Sequence, residues 1–207
     1  MFDHIIGNEF VKSYLRRVIE NNCIGNSILF AGPEGIGKSV FAEAFAKQII
    51  CRNDVSGDHQ RKLESGNHPD LRVYRPEGKL GMHSIASMRQ LSEEVYLAPF
   101  EAKNKVFIVH EAERMLSYSA NALLKTFEEP ALDTVIILLS SAPSSLLSTV
   151  LSRCRAIYFQ SLSEQDIIAF LMQYHQKEFK EAQEVAMLSQ GCIGNAIKLM
   201  QEGGDPL

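Results

Sequence analysis

The chain has 207 residues, 45% of them hydrophobic and 22% charged, which suits one main globular domain with a small second one. A net charge of −4 excludes a global basic field of the kind that advertises nucleic-acid binding, although a local patch is compatible with it. The four cysteines (Cys23, Cys51, Cys154, Cys192) are scattered and form no C-x-x-C, so a disulfide framework or thiolate metal site is disfavoured and reduced thiols in the cytoplasm are expected.

The N-terminus, Met1-Phe2-Asp3-His4, has neither a basic n-region nor a long apolar h-region, so it does not read as a signal peptide. No apolar run reaches the roughly 18 residues that a membrane span needs, so no membrane association is expected. Asn8 is the expected cap of a first helix running to about Asn22, with Phe10, Val11, Tyr14, Leu15, Val18 and Ile19 as its apolar stripe. Ser27-Ile28-Leu29-Phe30-Ala31 is a short apolar run of buried-strand type. It leads into Gly32-Pro33-Glu34-Gly35-Ile36-Gly37-Lys38-Ser39, which fits G-x-x-x-x-G-K-[ST], the phosphate-binding loop. The residues that follow, from Val40, have helical spacing, with Phe41, Ala44, Phe45, Gln48 and Ile49 on one side.

The chemistry needs these residue types. Glycines let the backbone turn and bring N–H groups close to phosphate oxygens, and the helix behind points its positive end at the same anion. Gly35, Ile36, Gly37, Lys38, Ser39 and Val40 are therefore the expected nucleotide-binding residues, with Lys38 reaching the β- and γ-phosphates and the Ser39 hydroxyl ligating Mg²⁺.

Residues 51–68 are polar and without clear periodicity, and read as a loop or a ragged helical extension. His59 and His68 lie here near Cys51, too few donors for the three or four ligands a metal takes. Residues 71–75 alternate and read as a strand stopped by Pro76. Ser84 is the expected cap of a helix with Ile85, Met88, Leu91 and Val95 facing in. Residues 105–109 read as a buried strand running directly into His110-Glu111-Ala112-Glu113.

That tetrapeptide is the second chemical site. An acidic residue at the carboxyl end of an inner parallel strand lies beside the phosphate loop, where it can polarise water or hold Mg²⁺. Glu111 is the candidate, against the plainer reading that Glu111 and Glu113 merely open the next helix. His110 stands where a metal-binding Asp is expected, and imidazole is a poor Mg²⁺ ligand. A helix then runs to Glu128-Glu129 before Pro130, and residues 134–139 form the most apolar run, a central strand. Ser140-Ser141 follow at its end, with Ser141 either sensing the γ-phosphate or serving as a turn former. A short helix over 144–151 and a last strand over 156–159 complete the sheet. The expected fold is α/β, a parallel five-stranded sheet flanked by helices over residues 1–161. Residues 162–207 read as a three-helix unit. It begins at the capping-box sequence Ser163-Glu164-Gln165-Asp166 and carries Tyr174 and Leu188 among its apolar positions. Gly203-Gly204 end its last helix.

Together these motifs resemble the bacterial DNA polymerase III clamp-loader subunits of the AAA+ ATPase superfamily, the delta-prime branch most of all. Ile5-Ile6-Gly7-Asn8-Glu9 matches the family's N-terminal box, which implies that Ile6 packs near the adenine. Gly66-Asn67-His68-Pro69-Asp70 matches its G-x-H-P-D, and Asn121 to Pro130 resembles its N-A-L-L-K-x-L-E-E-P segment. Ser152-Arg153-Cys154 is its S-R-C motif, which implies that Arg153 is an arginine finger acting in the ATP site of a neighbouring subunit. Gly194 stands where the motor subunits carry a lid arginine, and Cys51 alone remains of a four-cysteine zinc module, so no zinc is expected. No helical collar domain follows before Leu207, which suggests a truncated or short form.

The resemblance implies ATP with Mg²⁺ as ligands and the gamma/tau and delta subunits, the sliding clamp and primer–template DNA as partners. It also implies weak hydrolysis by this subunit. An active gamma-type ATPase, a P-loop nucleotide kinase and a purely structural subunit with a vestigial loop are the rival readings.

Overall fold

The computed structural model describes residues 1–78 and 81–202. Its sheet has five strands: β1 (Ser27–Ala31), β2 (Leu71–Tyr74), β3 (Lys105–Val109), β4 (Thr134–Ser140) and β5 (Arg155–Tyr158). They lie in the order β2-β3-β4-β1-β5, and every pairing is parallel. The three inner strands are buried at every position, which is why they read as continuous apolar runs, while edge strands β2 and β5 are partly open.

Alternation along each strand sends successive side chains to opposite faces. Ile28, Phe30, Ile108 and Ile137 pack with Val11 and Leu15 of α1 (Glu9–Glu20) and with Phe41, Phe45 and Ile49 of α2 (Lys38–Ile50). Leu29, Phe107, Val109 and Leu138 pack on the other face. Their partners there are Met88 and Leu91 of α4 (Ile85–Val95) and Leu123 and Phe127 of α5 (Ser117–Glu128). The expected two-faced parallel sheet is what the chain forms.

Local expectations meet mixed outcomes. Ser84 caps α4 by accepting a bond from the Ser87 amide. Ser163 and Asp166 form a reciprocal capping box at α7 (Glu164–His175). Asn8 does not cap α1. It adopts a left-handed conformation with φ 52°, and its side chain accepts from the Gln160 amide at 2.8 Å and donates to the Gln160 carbonyl at 3.1 Å. Phe10 is outside the apolar stripe and 83% exposed.

The segment after α2 is more ordered than its composition suggests, holding a short 3₁₀ turn (Cys51–Asn53) and α3 (Asp58–Glu64). The short helix before β5 divides into a 3₁₀ turn at Pro143–Ser145 and α6 (Ser148–Leu151). Beyond β5, α7, α8 (Phe179–Ser189) and α9 (Ile193–Glu202) surround a small core of their own, with Leu162, Ile167, Leu171, Ala182, Ala186 and Ala196. Tyr174 and Leu188 face outward instead. The expected stop at Gly203-Gly204 lies outside the described residues. No helix among the described residues is long and apolar enough to cross a membrane.

Candidate nucleotide site

Strand order creates the site. β4 lies between β3 and β1, so the carboxyl ends of all three converge, bringing His110, Ser140 and Gly32 side by side. The Gly32 amide donates to the Ser140 carbonyl at 3.1 Å and fixes the start of the phosphate loop to the sheet. A cavity of about 230 Å³ opens there, lined by Gly35, Gly37, Lys38, Ser39, Glu113 and Ser141 among others.

Lys38 is the first residue of α2 and is almost fully buried. Its ammonium donates to the Gly32 and Pro33 carbonyls at 2.7 and 2.6 Å, folded into its own loop. Burial lowers its pKa, while the Glu113 and Glu34 carboxylates pull the other way. Ile36 contributes its side chain to the core and only its backbone to the loop. Val40 lines a separate, larger cavity of about 520 Å³ between α2, α3 and β2. Ile6 is half-buried and does not line the phosphate cavity.

The acidic tetrapeptide is arranged differently from a helix opening. Glu111 is left-handed with φ 47°, and its exposed carboxylate pairs with Arg114 at 2.6 Å. Ala112–Arg114 form a 3₁₀ turn that carries Glu113 back to the cavity. Glu113 Oε1 accepts from the Ser141 amide at 3.0 Å and from the Ser141 hydroxyl at 2.5 Å. Burial works to raise the Glu113 carboxyl, but the bonds from Ser141 outweigh it and hold the carboxyl below its ordinary value. Sequence reasoning missed Glu113 as a site residue. The signal available was its three-residue step from His110, enough for one tight turn to return it to the strand end.

His110 is 8% exposed, and its Nδ1 lies 3.1 Å from an Arg75 guanidinium nitrogen. Arginine only donates, so Nδ1 accepts and the ring hydrogen sits on Nε2. Burial, with the neighbouring Arg75 and His83, pushes its pKa down to about 4, so the ring is neutral at physiological pH. Arg153 lies outside this cavity, with its guanidinium tied to Glu128 at 2.5 Å and to the Thr149 carbonyl at 2.9 Å.

Mg²⁺ takes oxygen donors. The Ser39 hydroxyl at the head of α2 suits it, and the same cavity holds a buried carboxylate oxygen without a partner, Glu113 Oε2. The residues present therefore fit a hard cation, although not through His110. A different cluster brings His59, His68 and Glu101 within 4.8 Å of one another, without Cys51. There the Asp70 amide donates to His68 Nδ1 at 3.1 Å, which leaves the hydrogen on Nε2, 2.9 Å from His59 Nδ1. The two rings are a hydrogen-bonded pair, and the His68 nitrogen that faces the cluster has no lone pair to give.

The start of α9 and the residue before it press on the phosphate loop. The Gly194 amide donates to the Gly35 carbonyl at 2.8 Å, and the Cys192 thiol donates to the Glu34 carbonyl at 3.1 Å. Gly35 has φ 74°, and a Cβ there would lie 2.5 Å from Cys192 Sγ. Gly35→Ala is therefore expected to cost about 2 kcal/mol, combining a left-handed penalty with overpacking. Adding Cys192→Ala should return the packing part. Thermal denaturation of the single and double variants checks it, and additive losses would show that the two residues do not press on each other.

Residues 7–163, more than half of the chain, match the family described as DNA polymerase III, delta subunit. The delta' subunit of DNA polymerase III from Bacillus subtilis (strain 168) is 35% identical over 162 residues, covering 76% of this chain and 49% of that protein. The gamma/tau subunit from Mycoplasma genitalium is 29% identical over 212 residues, covering 97% of this chain and 35% of that protein. The chain thus spans half or less of the length of these two relatives. Among solved structures, the Thermotoga maritima RuvB Holliday junction branch migration motor superposes with a TM-score of 0.66 at 18% identity, over 96% of this chain and 62% of that one. A gamma-subunit-related protein of the same organism gives 0.53 at 22% identity, over 92% and 61%. Those two likenesses speak to the fold. The matched family model and the delta' relative speak to descent, and the chain belongs to the DNA polymerase III delta-subunit family, among the clamp-loader subunits.

Proposed function

We propose that this protein is a delta-prime-type subunit of a bacterial clamp loader, working in the cytoplasm, that binds ATP and helps load the sliding clamp onto primer–template DNA. Its partners in that reading are the gamma/tau and delta subunits, the clamp and, through the complex, DNA. The observation that carries it is Lys38, buried at the head of α2 beside a cavity built from three strand ends, in a chain of this family. Residues 1–161 form the nucleotide-binding unit in this reading, and residues 162–207 form a lid that contacts the phosphate loop through Cys192 and Gly194. Weak hydrolysis follows from the turn of Glu111 toward Arg114 and from a strand-end His110 that offers a ring N–H where an oxygen is needed.

The test is a titration of the purified protein with a fluorescent ATP analogue, with turnover followed in parallel. Lys38→Ala is expected to weaken binding at least about 100-fold, equivalent to about 2.7 kcal/mol, by removing the one ammonium placed for the phosphates. The melting temperature should move little, because the two carbonyls that Lys38 releases belong to a loop reachable by water. Equal affinity in both proteins would remove the phosphate loop from the function, and robust turnover by the wild type would favour a motor subunit.

A further inference from the structure

We infer that Glu113, and not the residue at the end of β3, supplies the acidic oxygen for the divalent cation of the bound nucleotide. The inference rests on the nucleotide reading above and goes beyond it, since it assigns a metal-ligating role to a residue outside the strand–acid pattern.

The argument is one of elimination followed by placement. Three side chains near the strand end compete for the role. His110 Nδ1 accepts from Arg75, so Nε2 carries a hydrogen and has no lone pair for a cation. Glu111 lines the same cavity, but its half-exposed carboxylate is already engaged by the Arg114 guanidinium at 2.6 Å. Glu113 remains. Ser141 holds its Oε1 through two bonds, which fixes the carboxylate plane and leaves Oε2 buried with no partner. Glu113 lines the cavity shared by Lys38 and Ser39, the two phosphate-loop side chains that a nucleotide and its cation would meet. A buried carboxylate oxygen without a partner costs free energy unless something of opposite charge completes it. Lys38 does so only at a distance: two of its three donors go to the Gly32 and Pro33 carbonyls, and its ammonium makes no hydrogen bond to Glu113. A cation between Ser39 and Glu113 would complete it.

The pairing gives Ser141 a role as well. It is a positioning residue that aims Glu113, so the carboxyl end of β4 is coupled to the cation through one side chain. When nucleotide draws Lys38 toward its phosphates, Glu113 and Ser141 remain as the fixed wall against which a cation can be held.

The experiment titrates the purified protein with a fluorescent ADP or ATP analogue, in EDTA and then with MgCl₂. In the wild type Mg²⁺ should tighten binding at least about tenfold, and Glu113→Gln should abolish that tightening, each protein's affinity in MgCl₂ being compared with its own in EDTA. Glu111→Gln should keep the tightening. Continuous-wave spectra of Mn²⁺ added with ADP give a second readout, free of the fluorophore: protein-bound Mn²⁺ should fall in Glu113→Gln. Full Mg²⁺ tightening in Glu113→Gln, or its loss in Glu111→Gln, would overturn the inference and leave nucleotide binding intact. Should Glu113→Gln lose affinity in EDTA as well, Ser141→Ala decides, since it leaves the carboxylate in place but unaimed. A severalfold loss of tightening there supports the inference, and unchanged tightening overturns it. No nucleotide binding in either buffer by the wild type would bring down the reading beneath, and this one with it.

Discussion

On the proposal that Arg153 completes the ATP site of an adjoining clamp-loader subunit, Arg153→Ala is expected to cut ATP turnover there by about a thousandfold when the variant is assembled with a wild-type neighbour as the sole hydrolysing subunit. The guanidinium lies away from the chain's own phosphate cavity, so it has no task there. It is one-third exposed, held by Glu128 at 2.5 Å and by the Thr149 carbonyl. An ion pair this open contributes at most about 1 kcal/mol, so a triphosphate presented by a neighbour can draw the arginine away from Glu128. The bonds to Thr149 and Glu128 hold the side chain back against the end of α6. Arg153→Lys should recover only part of the rate, because an ammonium lacks the planar fork that matches phosphate oxygens. Phosphate release under single-turnover conditions reads the effect, with melting temperature as the control for folding. Turnover equal to wild type in the alanine variant would reduce Arg153 to a surface tie between α5 and α6.

The strands of this fold were legible because burial on both faces demands uninterrupted apolar runs, and β1, β3 and β4 comply. Their order, which builds the site, follows from no single run. It emerges from crossovers that place β4 between strands lying far apart in the chain. Asn8 shows the same limit at one residue. A polar residue before a helical pattern reads as a cap, yet its side chain is committed to Gln160, 152 positions away. Phe10 and Leu188 fit a helical stripe by spacing and are nevertheless exposed.

At the site, the phosphate loop was legible for a physical reason. Its glycines, lysine and serine act within eight consecutive residues, so spacing alone brings them together. The acidic member was not. Spacing singled out Glu111, next to the strand end. The backbone there turns left-handed, and the 3₁₀ turn brings Glu113 to Ser141 while Glu111 pairs with Arg114 on the same cavity's rim. The choice proposed above rests on a contact between residues 113 and 141, which no local pattern contains. His110 reads as a poor Mg²⁺ ligand from its side-chain chemistry alone. What fixes its tautomer, Arg75 at the end of β2, becomes visible only once β2 pairs with β3.

Asp70→Ala is expected to destabilise the fold by about 3 kcal/mol, close to the cost of stranding several backbone donors of one buried carboxylate. Asp70 is fully buried, and it accepts from the Phe100, Glu101 and Ala102 amides at 2.5, 2.8 and 2.8 Å. These bonds latch the loop that feeds β3, the strand whose far end carries His110, so the motif Gly66 to Asp70 positions the site from the opposite end of the sheet. Burial works to raise the Asp70 carboxyl, but the bonds from Ala102, Phe100 and Glu101 outweigh it and hold the carboxyl below its ordinary value. The sign for stability follows. The folded state prefers the ionised form, so the contribution is fully present above the unfolded value of about 3.9 and is lost as the pH falls through the lower folded-state value. Urea denaturation of wild type and Asp70→Asn should therefore show a large gap at pH 7 that narrows once the pH drops below about 4, because only the wild type sheds this carboxylate. No gap at any pH would mean that Asp70 works by shape alone. In that case the latch on the β3 loop would owe nothing to its charge, and the asparagine variant should then be nearly as stable as the wild type at every pH.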